Sequence, residues 1–293
     1  MANTYENLSV DNLPGTDAEW QAWVQAIEAA ILASGFLEVA PDTGQINPLT
    51  IARPALGAYA GYRIYRAKDS LAATKPLYAK VEFGNTGSGA DRPIIRRTMG
   101  TGSNGSGTLT GVQTTAVASA NASAGSGAAQ IYGGGGPHAM FLYQKDAGSA
   151  SHTIFWGCGR LLDQDDGSVA DPLVWDTFSG ASGILVMGAY QYTDGAIAWT
   201  NNASGIATHI PDLSVGINSG GNVGTTRLFQ ALVYRNGKSW AFPVLGGKST
   251  ELPLTTPASS KFSLNVWGGN HTFLPIDQSG YVSGSNRLCF LWE

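Results

Sequence analysis

Charge is scarce in this sequence: Asp, Glu, Lys and Arg together make up 13% of 293 residues, against about 25% in an ordinary soluble domain. A surface so poor in charge is either clothed in hydroxyl and amide groups or covered by partners, and coverage by partners is the expectation taken forward. The charges nearly balance, with 17 basic and 21 acidic side chains for a net of −4. No basic run goes beyond the pair Arg96-Arg97. Duplex nucleic acids are held by clustered cations that release counterions, so nucleic acid is not expected as a partner.

Cysteine is almost absent. Cys158 and Cys289 are the two present, far apart and each in an apolar, strand-like context (IFWGCGRL and NRLCFLW). Buried free thiols are the better reading of both, and a chain of this length has enough core to need no disulfide staple. Long apolar runs are missing as well. No stretch approaches the roughly 18 residues of a membrane-spanning helix, and the opening MANTYENLSVDNLPGTD lacks the basic and apolar segments of a secretory signal. No membrane insertion is expected.

The motifs of common chemistries are missing too. His138, His152, His209 and His271 are scattered without zinc-ligand spacing. No phosphate loop and no Gly-x-Ser-x-Gly elbow occurs. One formal dinucleotide pattern, Gly100-x-Gly102-x-x-Gly105, is followed by Ser106-Gly107-Thr108-Leu109-Thr110-Gly111, which reads as turn and strand where a nucleotide site requires a helix N-terminus. Asp163, Asp165 and Asp166, followed by Gly167 and with Asp171 nearby, are the most metal-like group. Gly167 falls where a calcium loop needs its third ligand, so a solvated turn is the better reading. No catalytic, cofactor-binding or metal-ligating residue is assigned, and no cofactor is expected.

What the sequence has in quantity is glycine (39 residues) and aromatics (10%, with eight tryptophans). The glycine is concentrated in two stretches rich in small residues, 100–111 (GTGSNGSGTLTG) and 116–136 (AVASANASAGSGAAQIYGGGG). Apolar punctuation at Leu109, Val112, Val117 and Ile131 is more than a free linker needs, so these stretches are expected to be ordered against neighbouring chains.

One helix is legible. Thr16-Asp17-Ala18-Glu19 is a capping box. Apolar residues then recur at Trp20, Trp23, Val24, Ile27, Ala30 and Ile31 up to a stop at Gly35, which predicts a helix over about 17–34. Gln21, Gln25 and Glu28 fall on the opposite side. Pro41, Gly44, Pro48 and Pro54 then break any long element. After them short strand-like runs follow at 61–66, 77–83, 94–99, 139–144, 153–157, 183–189, 228–235, 239–245, 262–267 and 287–292. Asn236-Gly237 suits a two-residue hairpin turn. The implied register sets Arg235 opposite Lys238, Val233 opposite Trp240 and Ala231 opposite Phe242.

The fold class is therefore mainly β: an N-terminal amphipathic helix followed by an antiparallel β-sandwich-like body. The organisation read from it is helix and linker over 1–57, with a docking or oligomerisation role, and a β-rich body over 58–293, with a division into two lobes near 116–136. Trp175, Tyr190, Tyr192 and Trp199 surround turn-rich segments that include Asn201 and Asn202. Aromatic faces beside amides suit carbohydrate or peptide recognition, so these six residues are the candidate receptor or glycan contact, with strand core and rim as the plainer alternative.

TDAEWQAWVQAIEAAILASG, EVAPDTGQINPLTIARP and KPLYAKVEFGNTGSGADRPIIRRTMGTGSNGSGTLTG, followed by a β-rich C-terminal body, resemble structural proteins of tailed bacteriophages, especially tail-tip, baseplate and fibre-associated subunits. The resemblance is one of style over most of the chain and carries no residue role with it. It implies a non-enzymatic virion protein, assembled in the host bacterial cytoplasm, forming a homo-oligomer with a trimer favoured, and meeting other virion proteins and a bacterial surface receptor. A capsid decoration or head-fibre subunit shares the same composition. An enzyme acting on host surface polysaccharide is the third reading, supported by the acidic cluster and the aromatics alone.

Overall fold

The computed structural model describes residues 4–11, 14–85, 92–111, 117–120, 128–146, 154–163, 169–179, 185–193, 196–198, 207–209, 228–235, 238–248, 261–266, 269–276 and 286–292. In chain order the elements are β1 (Tyr5–Asp11), α1 (Asp17–Ala33), β2 (Leu37–Val39), β3 (Tyr59–Ala67), β4 (Tyr78–Asn85), β5 (Pro93–Gly100), β6 (Gly102–Ser103), β7 (Leu109–Thr110), β8 (Val117–Ala120) and β9 (Ala128–Gly134). They continue with β10 (Ala139–Asp146), β11 (Ile154–Asp163), β12 (Val169–Ser179), β13 (Leu185–Thr193), β14 (Ala196–Ala198), β15 (Ala207–His209), β16 (Leu228–Arg235), β17 (Lys238–Lys248), β18 (Phe262–Val266), β19 (Gly269–Ile276) and β20 (Asn286–Leu291). The chain is mainly β, with one helix among the described residues and antiparallel sheets after it.

Two sheets carry the architecture. The smaller has the order β2-β3-β4-β5-β8. The larger runs β1-β9-β10-β11-β17-β20-β19-β18, with β12 to β14 branching from β11 and β15 and β16 from β17. The chain passes from the smaller sheet to the larger between Ala120 and Ala128. β6 and β7 form a separate small ribbon.

Helix α1 starts where its capping box sits. The Thr16 hydroxyl accepts from the Glu19 amide at 3.3 Å, and the Glu19 carboxylate accepts from the Thr16 and Gly15 amides at 2.9 and 3.0 Å. These bonds hold the Glu19 carboxyl below the usual range, the Thr16 side chain being the largest influence. At the other end Gly35 takes φ 74°, the left-handed conformation that closes a helix at least cost to glycine.

The apolar stripe of α1 lies between the two sheets. Trp20, Trp23, Val24, Ile27, Ala30 and Ile31 belong to one buried cluster with Tyr65, Val81, Phe83, Ile95 and Met99 of the smaller sheet and Ile131, Met140, Leu142, Ile154 and Trp156 of the larger. Trp23 meets Phe83 edge-on at 5.9 Å and donates through Nε1 to Gln144 Oε1 at 2.9 Å. The segment 1–57 also contributes a strand to each sheet, β1 to the larger and β2 to the smaller. Helix and linker are thus built into the β body.

The other face of β9 and β10 is covered from the C-terminal side. Tyr132 stacks on Tyr143 and meets Trp292, and Phe141 contacts Phe290 and Trp292, with centroids 5.5 to 6.2 Å apart. Burial, with the Glu6 charge as a smaller influence, pushes the Tyr132 hydroxyl up to about 12.

The described parts of the glycine-rich stretches are ordered against their own chain. Gly133 sits where a Cβ would run into the backbone of Ala30 in α1, and Gly107 where one would meet the Tyr62 ring. Close approach of elements within the chain is what these glycines serve. In the 100–111 stretch, β6, a turn and β7 follow Gly100, with no helix, so the dinucleotide pattern has no structural basis.

Candidate interaction surface

The polar side of α1, which amphipathicity alone would turn to water, grips the proline-bearing segment that follows. Gln21 Nε2 donates to the Ile51 carbonyl at 3.1 Å and Gln25 Nε2 to the Pro48 carbonyl at 3.4 Å. The Asp17 carboxylate accepts from the Arg53 amide at 2.8 Å. Glu28 pairs with Arg63 of β3, Oε1 to Nη2 at 2.5 Å. From the far side Asn85 Nδ2 donates to the Pro54 carbonyl at 3.2 Å, and the Gly57 amide donates to the Asn85 carbonyl at 2.8 Å. A segment without regular structure is thereby held in one shape, because its backbone groups find partners on α1 and β4.

Held this way, residues of the 46–60 segment line a shallow, open depression of about 500 Å³. Its lining mixes Ile46, Ile51 and Pro54 with Asn47, Arg53 and Tyr59. Tyr59 is fixed from two sides: Gly84 leaves room for the ring, and the Arg96 guanidinium lies 4.2 Å from its centroid. Arg96 in turn takes both Glu82 oxygens, at 2.6 and 2.7 Å, and this pairing raises its pKa. Leu49 and Leu56, on the same segment, are 65% and 51% exposed.

Beside the depression the outer face of the smaller sheet continues with Tyr62, over whose ring Lys80 lies at 4.5 Å, and with the Arg66–Glu38 pair at 2.7 Å. The β6-β7 ribbon is fastened across part of this face. The Asp42 carboxylate accepts from Ser103 Oγ and from the Gly107 amide, the Thr43 amide donates to the Gly105 carbonyl at 2.9 Å, and Tyr62 donates to the Thr43 carbonyl at 2.9 Å. Leu109 packs with Ala40 and Ile64 beneath it.

A second ionic group is buried between the layers. Arg160 of β11 and Asp69 of the β3-β4 connection are 1% and 2% exposed and bind in a fork, Nε to Oδ2 at 2.9 Å and Nη2 to Oδ1 at 3.1 Å. Nη2 also donates to the Lys75 carbonyl at 2.7 Å, and the Arg160 amide donates to the His138 carbonyl at 2.8 Å. The His138 imidazole is held below its ordinary pKa, by burial first and by Arg160 as well, against an opposing pull from Asp69. This group joins the smaller sheet to the larger.

The residues singled out from sequence fall elsewhere. β12 and β13 are paired, with Trp175 opposite Ala189 and Tyr190 opposite Val174, and Tyr192 lies opposite Ile197 of β14. Because faces alternate along a strand, positions 190 and 192 share one face and position 175 belongs to the other. Trp199, Asn201 and Asn202 lie outside the described residues, as do Asp165, Asp166 and Gly167; Asp163 ends β11. Cys158 and Cys289 are both buried, and neither is in a disulfide. Among the described residues no three His, Cys, Asp or Glu side chains gather as a metal site, and no helix is long and apolar enough to cross a membrane.

The 46–60 surface was missed from sequence because Pro48 and Pro54 read only as interruptions. The signal available was the polar set Asp17, Gln21 and Gln25 repeating along one side of α1, just before a segment with backbone groups to satisfy.

Compared with known proteins, the chain matches no protein-family model and no curated protein.

Proposed function

We propose that the chain is a non-enzymatic structural subunit of a tailed-bacteriophage virion, belonging to the tail tip, baseplate or fibre and working as a homo-oligomer, with a trimer favoured. The observation that carries the assembly role is the pair Leu49 and Leu56, exposed on a segment that α1 and β4 hold rigid. Covering such groups removes apolar surface from water, which favours contact with a second polypeptide. Low charge supports the same reading, since 13% charged residues leave much surface that loses little solvation on being covered. The sequence resemblance supplies the virion setting. Contact with a bacterial surface receptor, through the strands and turns around Trp175, Tyr190, Tyr192, Trp199, Asn201 and Asn202, completes the proposal.

The test is to locate the subunit in a density map of the particle that contains it. Density for the two-sheet body in the tail tip, baseplate or fibre is the expected result. Placement on the capsid would replace this reading with that of a decoration or head-fibre subunit, and absence from the particle would remove the structural role. Receptor contact is checked separately: purified protein is expected to bind host cells and compete with phage adsorption, and failure of both would confine the subunit to internal architecture.

A further inference from the structure

The turn between β6 and β7 holds Asn104-Gly105, the one Asn-Gly pair among the described residues, and both residues are exposed. After an asparagine, glycine leaves the next backbone nitrogen free to approach the side-chain carbonyl, since it has no Cβ to block the way. Both groups have neighbours here that favour such an attack. Asn104 Oδ1 accepts from the Ser106 amide at 2.9 Å and from the Thr108 amide at 3.1 Å. Two backbone donors on one carbonyl oxygen stabilise the negative charge it takes up when a nucleophile adds to its carbon.

The nucleophile's side is equally furnished. The Gly105 amide donates to Ser103 Oγ at 3.2 Å, and Ser103 Oγ donates to the Asp42 carboxylate. Asp42 is thereby connected, through one hydroxyl, to the proton that the Gly105 nitrogen must lose, which is the position of a general base. The turn is also anchored. Asp42 accepts from the Gly107 amide at 3.3 Å, and the Gly105 carbonyl accepts from the Thr43 amide at 2.9 Å and from Thr43 Oγ1 at 3.1 Å. Nucleophile, carbonyl and base are thus gathered in one place before any reaction begins.

We propose that Asn104-Gly105 is a self-modification site, at which the chain converts Asn104 through a cyclic imide into an aspartyl or isoaspartyl residue. The Gly105 nitrogen bonds to Asn104 Cγ while its proton passes to Ser103 Oγ and the Ser103 proton to Asp42. The Cγ–Nδ2 bond then breaks, the same relay returns a proton to the leaving nitrogen, and ammonia departs from the exposed turn. One water opens the imide at either of its two carbonyls. Ammonia is lost, water is consumed, and no oxidant or reductant enters. Opening to the isoaspartyl form routes the main chain through Cβ and Cγ, which lengthens the turn that fastens the ribbon beside Tyr62. The reaction needs no second copy of the chain, so it stands or falls apart from the assembly role.

The test follows the full-length chain and a synthetic peptide of residues 100–111, as a reference without the fold, at neutral pH in heavy-oxygen water. Mass spectrometry reads the imide and its labelled products at position 104. The native chain is expected to convert at least about tenfold faster than the peptide, a modest share of what a positioned base supplies. Ser103→Ala and Asp42→Asn are each expected to bring the rate down to that of the peptide, whereas Ser103→Thr, which keeps a hydroxyl, is expected to retain most of it. The comparison of native chain with peptide needs no variant and decides the matter if a variant fails to fold, as judged by circular dichroism. A native rate at or below the peptide's would overturn the site, because the turn would then shield Asn104. Ser103→Ala or Asp42→Asn chains that react as fast as the native chain, or a Ser103→Thr chain as slow as Ser103→Ala, would overturn the relay.

Discussion

The Arg160–Asp69 pair is the residue-level feature with the most at stake. Two ions taken out of water repay their desolvation only while each has the other, so removing one partner costs about 3–5 kcal/mol, whereas replacing both by apolar groups of similar size is often neutral. Asp69→Ala is therefore expected to lower the urea midpoint sharply, because the guanidinium stays buried at 1% exposure and keeps the Lys75 carbonyl but loses the carboxylate that neutralised it. Asp69→Leu combined with Arg160→Met is expected to recover most of the loss. If the double variant were as unstable as the single, the fork would matter for its shape and not for its charge. The neighbouring His138 adds a pH dependence. Its folded pKa lies below the ordinary 6.5, so as pH falls through 6.5 the unfolded chain takes up this proton before the folded one does. The stability that His138 contributes is present above 6.5 and drains away below it. Urea titrations between neutral pH and about pH 5 are expected to show a decline that flattens in His138→Gln; an unchanged slope would assign the decline to other groups.

At the scale of the element, the contact of α1 with β9 depends on a missing side chain. A Cβ on Gly133 would collide with the Ala30 backbone, which cannot swing aside as a side chain tip would. Gly133→Ala is expected to destabilise by about 3 kcal/mol, the upper part of the range for overpacked sites. Gly35→Ala meets no atom within 4 Å and is expected to cost only the left-handed penalty at φ 74°, about 1–2 kcal/mol. Thermal unfolding of the two variants ranks them; the reverse order would mean that the helix slides freely on the sheet.

The same glycine explains what was legible in the sequence and what was not. Helix α1 announced itself because its cap, its stripe and its stop all lie within about twenty residues, and it spans Asp17–Ala33 where 17–34 was expected. Runs such as Tyr78–Asn85 and Leu228–Arg235 were visible for the same local reason. β9 was hidden, since Gly133 and Gly134 answer to Ala30 and Trp292, far away in the chain. The hairpin shows the boundary between the two cases. Its register holds from Arg235↔Lys238 through Val233↔Trp240 to Leu232↔Ala241, then jumps to Gln230↔Leu245, so Ala231 is not paired with Phe242 as the turn alone implied. Pro243 lies in the skipped stretch, and having no amide proton it cannot continue the ladder. β12 carries a similar break, between Val169 and Val174, across Asp171 and Pro172. The 46–60 surface was invisible because it exists only once α1 and β4 have closed on it.

For the whole molecule, the question is whether the helix and linker are a part or an accessory. Composition divides the chain at about residue 57, yet the structure ties both sides of that division together at every level. The buried cluster takes Trp20, Trp23, Ile27 and Ile31 from one side and Phe83, Ile131, Leu142 and Trp156 from the other. β1 and β2 extend the two sheets, Glu28 pairs with Arg63, and Glu6 pairs with Lys261, whose ammonium lies 4.1 Å from the centroid of the Trp292 ring. Without residues 1–57 the inner faces of both sheets would lose the layer between them, and exposing that much apolar surface removes the main force that holds a domain together. The fragment 58–293 is accordingly expected to aggregate or to lack a cooperative thermal transition, and adding a separate 1–57 peptide is expected to restore part of it. Calorimetry of fragment, mixture and intact chain decides the point. A fragment that melts cooperatively near the midpoint of the intact chain would show that the β body stands alone, and would return helix α1 to the role of a docking arm.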